Sequence, residues 1–306
     1  MNNQASTTSS APPPSIFHDL TFDEYKQIKA INASSLKPWL ISARHAKFRE
    51  ANPLDTDSIK IGRAVHSYLL DDDFHDQYAC LDDTELIQQI LAQRPELKNV
   101  RASKEYKTKY AEWSQLNEHK TLLKKDEMDT VAKSRRAIYD HPESSSMNLD
   151  TELREVTLVW DDPQVGGLCK ARLDLYNHKT GRIVDIKTTA KRPTVRAVER
   201  QIIDYAYHVQ YAWYMRAVRM CRLSDAPTMR FVFVQLADEF DVTWADPDES
   251  MLDQGWHDAM RAVERMRACE AEGKYPGVHP DPVQVSLPAW VFDDTEIIDD
   301  GTEVIG

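Results

Sequence analysis

The sequence predicts a mixed α+β fold, an α/β class with a central mixed sheet that holds an antiparallel meander and is flanked by helices. Three observations lead there. Residues up to about 150 carry helical periodicity. Residues 155–189 alternate with period two and are broken by short turns, as a run of hairpin-linked strands would be. The remainder returns to helix, strand and helix, which is not the regular repeat of a doubly wound sheet.

The elements follow in order. Residues 1–15, rich in Ser, Thr, Asn and Ala and ending on Pro12-Pro13-Pro14, read as a disordered arm. A short helix spans 22–30, and Ala33-Ser34-Ser35-Leu36-Lys37 opens a second with serine available as its cap. A third covers 61–70, and longer ones cover 104–117 and 125–140, the last ended by His141-Pro142. A strand at 155–160 turns through 161–167 into a second strand ending near Asp174. His178-Lys179-Thr180-Gly181 then turns the chain into a third strand, 183–189. One long helix follows from 195 to 220, then an apolar strand at 230–236 with 241–244 beside it. A final helix over 249–272 is closed by Gly273 and Pro276. The acidic stretch 293–306 reads as a loose tail. The folded part is thus a single domain, 16–292, with a helical portion at 16–150 and a core at 151–275.

Composition narrows the function. The apolar fraction is 42% in 306 residues, enough for one large core, and the longest apolar runs, such as Phe231-Val232-Phe233-Val234, are strand-sized. No membrane span and no secretory signal is expected. Cys80, Cys169, Cys221 and Cys269 lie far apart with no C-x-x-C pair, which argues against zinc and against a disulfide framework and fits a reducing cytoplasm. The net charge of −12 disfavours non-specific nucleic-acid binding, because counterion release needs Lys and Arg. Yet Lys191, Arg192, Arg196, Arg200, Arg216, Arg219 and Arg222 face only Glu199 and Asp204 across 191–222. Such a run can guide a polyanion, or can be the solvated side of helices.

The chemistry concentrates in the hairpin. If it folds about its midpoint, Asp174 falls opposite Asp185 with Cβ atoms about 4.5–5.5 Å apart, where like charges repel. A divalent cation between them turns the repulsion into a binding site. Magnesium, with manganese able to substitute, would take Asp174, Asp185, the Ile186 backbone carbonyl and water. Lys187 lies two residues on, on the face of Asp185, where it would orient an attacking water and offset phosphate charge. Leu173, Leu175, Val184 and Ile186 make the opposite, apolar face. Two carboxylates and an ammonium suit metal-assisted phosphodiester hydrolysis. Two surface aspartates paired with Arg172 and Lys187 fit the same spacing. His66, beside Val65 and Leu69, reads as a packing residue or a ligand. Gln210 and Tyr214, four apart on the long helix, share a face with Tyr207 and Tyr211; they could meet a phosphate or base, or pack into a core. Arg196 and Arg200, one turn apart, could grip phosphates, and Glu155 could be an outer metal ligand or a strand end.

Four segments carry a resemblance: Asn32-Ala33-Ser34-Ser35-Leu36-Lys37; Gly62-Arg63-Ala64-Val65-His66 with Leu69-Leu70; Asp174 with Val184-Asp185-Ile186-Lys187-Thr188-Thr189; and Tyr205-Ala206-Tyr207-His208-Val209-Gln210 with Tyr214. In this order the chain resembles the RecE-type exonucleases (exonuclease VIII), a branch of the PD-(D/E)xK nuclease superfamily. The resemblance implies a metal site that includes His66 and Gln210 with Asp174, Asp185 and Lys187. It implies a magnesium-dependent exonuclease of linear double-stranded DNA, with one metal activating water and another stabilising the leaving oxygen. It further implies a single-strand annealing partner of RecT type in phage-type recombination, a ring-shaped homo-oligomer and a cytoplasmic setting in a bacterial or phage-infected cell. Asp185 stands where many superfamily members have Glu. The scattered cysteines lack the C-terminal group that holds an iron–sulfur cluster in some relatives, so no cluster is expected. A DNA-end-binding scaffold with little cleavage and an endonuclease on the same core are the competing expectations.

Overall fold

The computed structural model describes residues 13–146, 153–237, 239–279 and 281–287. In chain order its elements are β1 (Ser15–Phe17), α1 (Phe22–Gln27), α2 (Ala33–Ile41), α3 (Ala43–Ala51), α4 (Asp57–Leu70), α5 (Phe74–Gln77), β2 (Tyr78–Cys80), α6 (Thr84–Gln93), α7 (Lys104–Leu116), β3 (Thr121–Leu123) and α8 (Lys125–Asp140). The second half adds β4 (Leu153–Asp162), β5 (Gly167–Asn177), β6 (Arg182–Thr189), α9 (Val195–Asp204), α10 (Tyr207–Met220), β7 (Thr228–Gln235), β8 (Val242–Ala245) and α11 (Glu249–Glu272).

Six strands form one sheet in the order β1-β4-β5-β6-β7-β8. Every pairing is antiparallel except β6 with β7, which run parallel across the α9–α10 crossover. The meander expected from the sequence is the middle of this sheet. Its second hairpin has the midpoint register: Leu175 faces Val184 and Asn177 faces Arg182, which leaves His178 to Gly181 as the turn. β1 is an addition at the edge, and it begins at Ser15, the last residue of the expected arm. The rest of the arm up to residue 12 and the acidic tail lie outside the described residues. No helix among the described residues is long and apolar enough to cross a membrane.

Helices cover both faces of the sheet. On one face Leu36, Trp39, Trp213, Val218 and Ala259 of α2, α10 and α11 pack with Leu158, Ile183, Phe231 and Phe233. On the other, Val65, Leu69, Val131 and Ile138 of α4 and α8 pack with Leu175, Val184, Ile186, Val232 and Val234. This double cover is why β7 reads as an unbroken apolar run. A small third cluster joins α6 and α7 through Ile90 and Tyr106.

Several helices differ from expectation, each for a local reason. The cap of α2 is Asn32: its side chain accepts from the Ser35 N–H while the Ser35 hydroxyl accepts from the Asn32 N–H. The third helix starts at Asp57, four residues earlier than its apolar stripe, behind a Thr56 cap. The long helix over 195–220 is two helices, because Ala206 adopts a left-handed conformation with φ 50°. α3, α5 and α6 and the β2–β3 pair were not expected. α8 and α11 have the expected bounds, and Gly273 closes α11 at φ 66°.

Candidate active site

The site forms where β5 and β6 part. Their ladder runs to Leu175 and Val184, one pair short of Asp174 and Asp185. Past that point Asp174 replaces the ladder with its side chain: Oδ2 accepts the Ile186 N–H at 2.8 Å. Strand parity also changes there. Leu175 belongs to the α4–α8 core and Leu173 to the α2–α10 core, although residues two apart normally share a face. The expected apolar stripe of Leu173, Leu175, Val184 and Ile186 is therefore broken at Leu173. Across β4, in the register position opposite Asp174, Glu155 is left-handed at φ 50°. A non-glycine residue pays conformational strain in that region, and here it marks the place where the sheet bends around the acids.

Helix α4 brings His66 to this opening. It can lie close to β6 because residue 62 is glycine: a methyl there would stand 3.1 Å from Thr188 Oγ1. His66 Nδ1 lies 3.5 Å from Asp174 Oδ2. One donor atom each from His66, Glu155 and Asp174 falls within 4.8 Å of the others. Glu155 is ion-paired to Arg172, whose Nη1 also donates to the Leu20 carbonyl at 2.7 Å and so fastens the segment between β1 and α1 to the site.

Asp185 occupies the other side of the gap and is fully buried. Gln210 on α10 donates from Nε2 to Asp185 Oδ1 at 2.7 Å and to the Tyr214 hydroxyl at 3.0 Å. Lys187 forms an ion pair with Asp185 Oδ2, but that oxygen accepts no directed hydrogen bond. Helix α10 is held at this depth by Gly255 of α11, where a side chain would collide with the His208 carbonyl at 2.0 Å.

The electrostatics follow from burial. Burial, then the neighbouring Asp185 charge, pushes Asp174 up to about 7. Burial and Asp174 push Glu155 up to about 7, against the pull of Arg172. Burial and then Lys187 hold the His66 imidazole below its usual range, which favours the neutral form that ligates metals. For Lys187, burial alone would lower the value, but Asp185, Tyr207 and Asp174 together raise it, so it stands as an ammonium. Sequence reasoning missed a second amine. Lys37 of α2 is pulled down to about 7 by burial and by Lys187, and donates to Gln210 Oε1 at 3.4 Å. Its position in the Asn32–Lys37 segment was the only signal of it.

The donor set suits a hard divalent cation: two acids with raised values, a neutral imidazole and a buried carboxylate oxygen short of a hydrogen bond. The other expected residues divide. Tyr207 sits at the rim, with the Lys187 and Lys37 ammonium groups each 4.7 Å from its ring centre. Tyr211 and Tyr214 are core residues of α10. Arg196 and Arg200 are exposed on α9, and Arg200 pairs with Asp204 at 3.4 Å. The basic run does not form one face, since Arg216 turns inward onto Asp162.

A family signature described as a PDDEXK-like domain of unknown function (DUF3799) matches residues 32–279. No curated protein matches the chain. The crystal structure of a provisionally named exonuclease from Eubacterium rectale is similar at a TM-score of 0.53 and 13% identity, over 91% of this chain and 99% of that one. A phage-related exonuclease from Haemophilus somnus 129PT aligns at a TM-score of 0.32 and 13% identity, over 58% of this chain and 91% of that one, too distant to bear on the fold.

Proposed function

Because this chain belongs to the PDDEXK-like domain family, we propose that it is a divalent-metal-dependent exodeoxyribonuclease of RecE type, which digests linear double-stranded DNA from its ends. The observation that carries this reading is the split between β5 and β6, which leaves Asp174, Glu155 and His66 on one side of a gap and Asp185 with Lys187 on the other. His66, Glu155, Asp174 and Asp185, with the Ile186 backbone, are the groups that would hold magnesium. A divalent ion supplies Lewis acidity and a more acidic bound water. The protein's own residues do the rest. Gln210 steadies Asp185 through one oxygen, while the other is ion-paired to Lys187. Lys187, kept as an ammonium by the acids, offsets charge that builds on the phosphate. The resemblance to the RecE type supports a single-strand annealing partner, a role in phage-type recombination, a ring-shaped assembly and a cytoplasmic setting.

The test compares end-labelled linear duplex with a relaxed, covalently closed circle, each with magnesium and with EDTA. The expected result is digestion of the linear DNA alone and only with magnesium. Cutting of the closed circle would mean an endonuclease. Salt-sensitive binding without any product would mean an end-binding scaffold.

A further inference from the structure

Resting on that nuclease reading, we infer that Tyr205 is a base-stacking subsite, which holds an unpaired base of the DNA strand beside the phosphate bound at Lys187. Tyr205 lies between α9 and α10, just before the left-handed Ala206. Continuing the helix through this point would relieve the strain at Ala206. The break instead turns Tyr205 outward, where it is 59% exposed.

Its ring is not idle. It stacks on Tyr207 at 5.7 Å between ring centres, with the planes only 25° apart. Tyr207 in turn rests against Phe231 and Phe233 and carries the Lys187 and Lys37 ammonium groups over its ring at 4.7 Å each. A continuous tier of aromatic rings thus runs from the sheet, past the two amines, to an open ring at the surface. The inner rings are fully used by packing. The outer one has a free π-face.

The surroundings fit a nucleotide strand better than a protein partner. Two amines converge on one half-buried ring, and among the described residues only Lys187 of the two has a carboxylate partner. The Lys187 ammonium, with the Lys37 amine beside it, attracts a phosphate. Outside, Lys191 and Arg196 have no acidic partner among the described residues, whereas Arg192 and Arg200 are paired to Glu239, Asp241 and Asp204. Ile203, two residues before Tyr205, is 70% exposed. An exposed aromatic ring stacked on a second ring that carries two lysine amines suits single-stranded nucleic acid, where each base stacks on a ring and the backbone follows the charges.

The experiment uses the full chain in EDTA and a single-stranded oligonucleotide with 2-aminopurine at its terminal position, read by fluorescence. Stacking should change the emission with the wild type and with Tyr205→Phe, which keeps the ring. Tyr205→Ser should lose that change and bind about tenfold more weakly or worse, with its melting temperature within a degree or two of the wild type. On linear duplex with magnesium, Tyr205→Ser should raise KM more than it lowers kcat. A wild type that cuts linear duplex but reads the probe the same as Tyr205→Ser overturns the subsite and leaves the nuclease reading standing. A wild type that neither cuts nor binds overturns both.

Discussion

The β4–β5 ladder has a buried acid, Asp162, near one end and an acid cluster near the other, and the two are built on opposite principles. At the hairpin end, Asp162 is saturated with donors. It accepts Arg216 Nε at 2.5 Å and Nη2 at 2.7 Å, the Trp160 indole at 3.0 Å, and the Gln164 and Val165 N–H groups at 3.0 and 3.2 Å. Burial alone would raise its pKa, yet Arg216, Trp160 and Val165 outweigh it and the value is lowered. At the other end, buried Asp174 lies beside half-buried Glu155 on β4 and faces buried Asp185 on β6. Two of them are raised to about 7, and Asp185 is met by a single Gln210 hydrogen bond and the Lys187 ion pair. A carboxylate that holds the fold is surrounded by donors. A carboxylate meant for a cation is left short of them, and the shortfall is what the cation would fill.

The sharpest way to break this contrast is to neutralise one acid at each end. Asp185→Asn keeps the shape of the side chain and removes the negative charge the gap offers a cation, at the cost of the Lys187 ion pair. It should lower digestion of linear DNA at least a thousandfold, about 4 kcal/mol in the barrier, with the protein still folded at the assay temperature. An active Asp185→Asn would remove the site assignment.

Asp162→Ala should do the reverse. It strands the Arg216 guanidinium without its partner, at a cost of about 3–5 kcal/mol, and should lower the melting temperature by roughly 10 °C. The folded fraction should still cut DNA. A loss of activity larger than the loss of folded protein would mean that the two clusters are not separate.

Protons give a smaller effect with opposite signs. Asp174 and Glu155 have folded values above their unfolded ones, so the stability they lend is full below about pH 4 and is lost as pH rises through about 7. In EDTA, Asp174→Asn should therefore melt level with the wild type near pH 4 and a few degrees higher at pH 8. Magnesium competes with the same protons. Its stabilisation of the wild type should be slight at pH 5.5, grow through pH 7 and level off above it, as read by thermal shift. A magnesium effect that does not depend on pH would separate the ion from these two acids.

Much of this was legible in the residues. The hairpin turn with its midpoint register, α8 and α11 follow from local signals: a Gly-containing turn, period-two alternation, a proline stop and a glycine cap. His66 and Gln210 were ambiguous from their own neighbours, because a histidine beside apolar residues and a glutamine on a helix look the same in a core as in a site. Only the likeness to a nuclease family singled them out. The break at Ala206 was hidden, since alanine is a helix former and no glycine marks the turn. Glu155 looked like the start of a strand and is its bend. Lys37 shows nothing in sequence of the burial that pulls it down to about 7.

By itself the sequence determined the local conformations and the spacing that puts two acids and a lysine at the end of one hairpin, because turns, caps and alternation act over a few residues. Only the tertiary structure decided which acids would be starved of donors. That depends on α4, α10 and α2 converging from 66, 210 and 37 on one gap in the sheet. Burial and charge coupling act through space between residues far apart in the chain, so no stretch of sequence contains them.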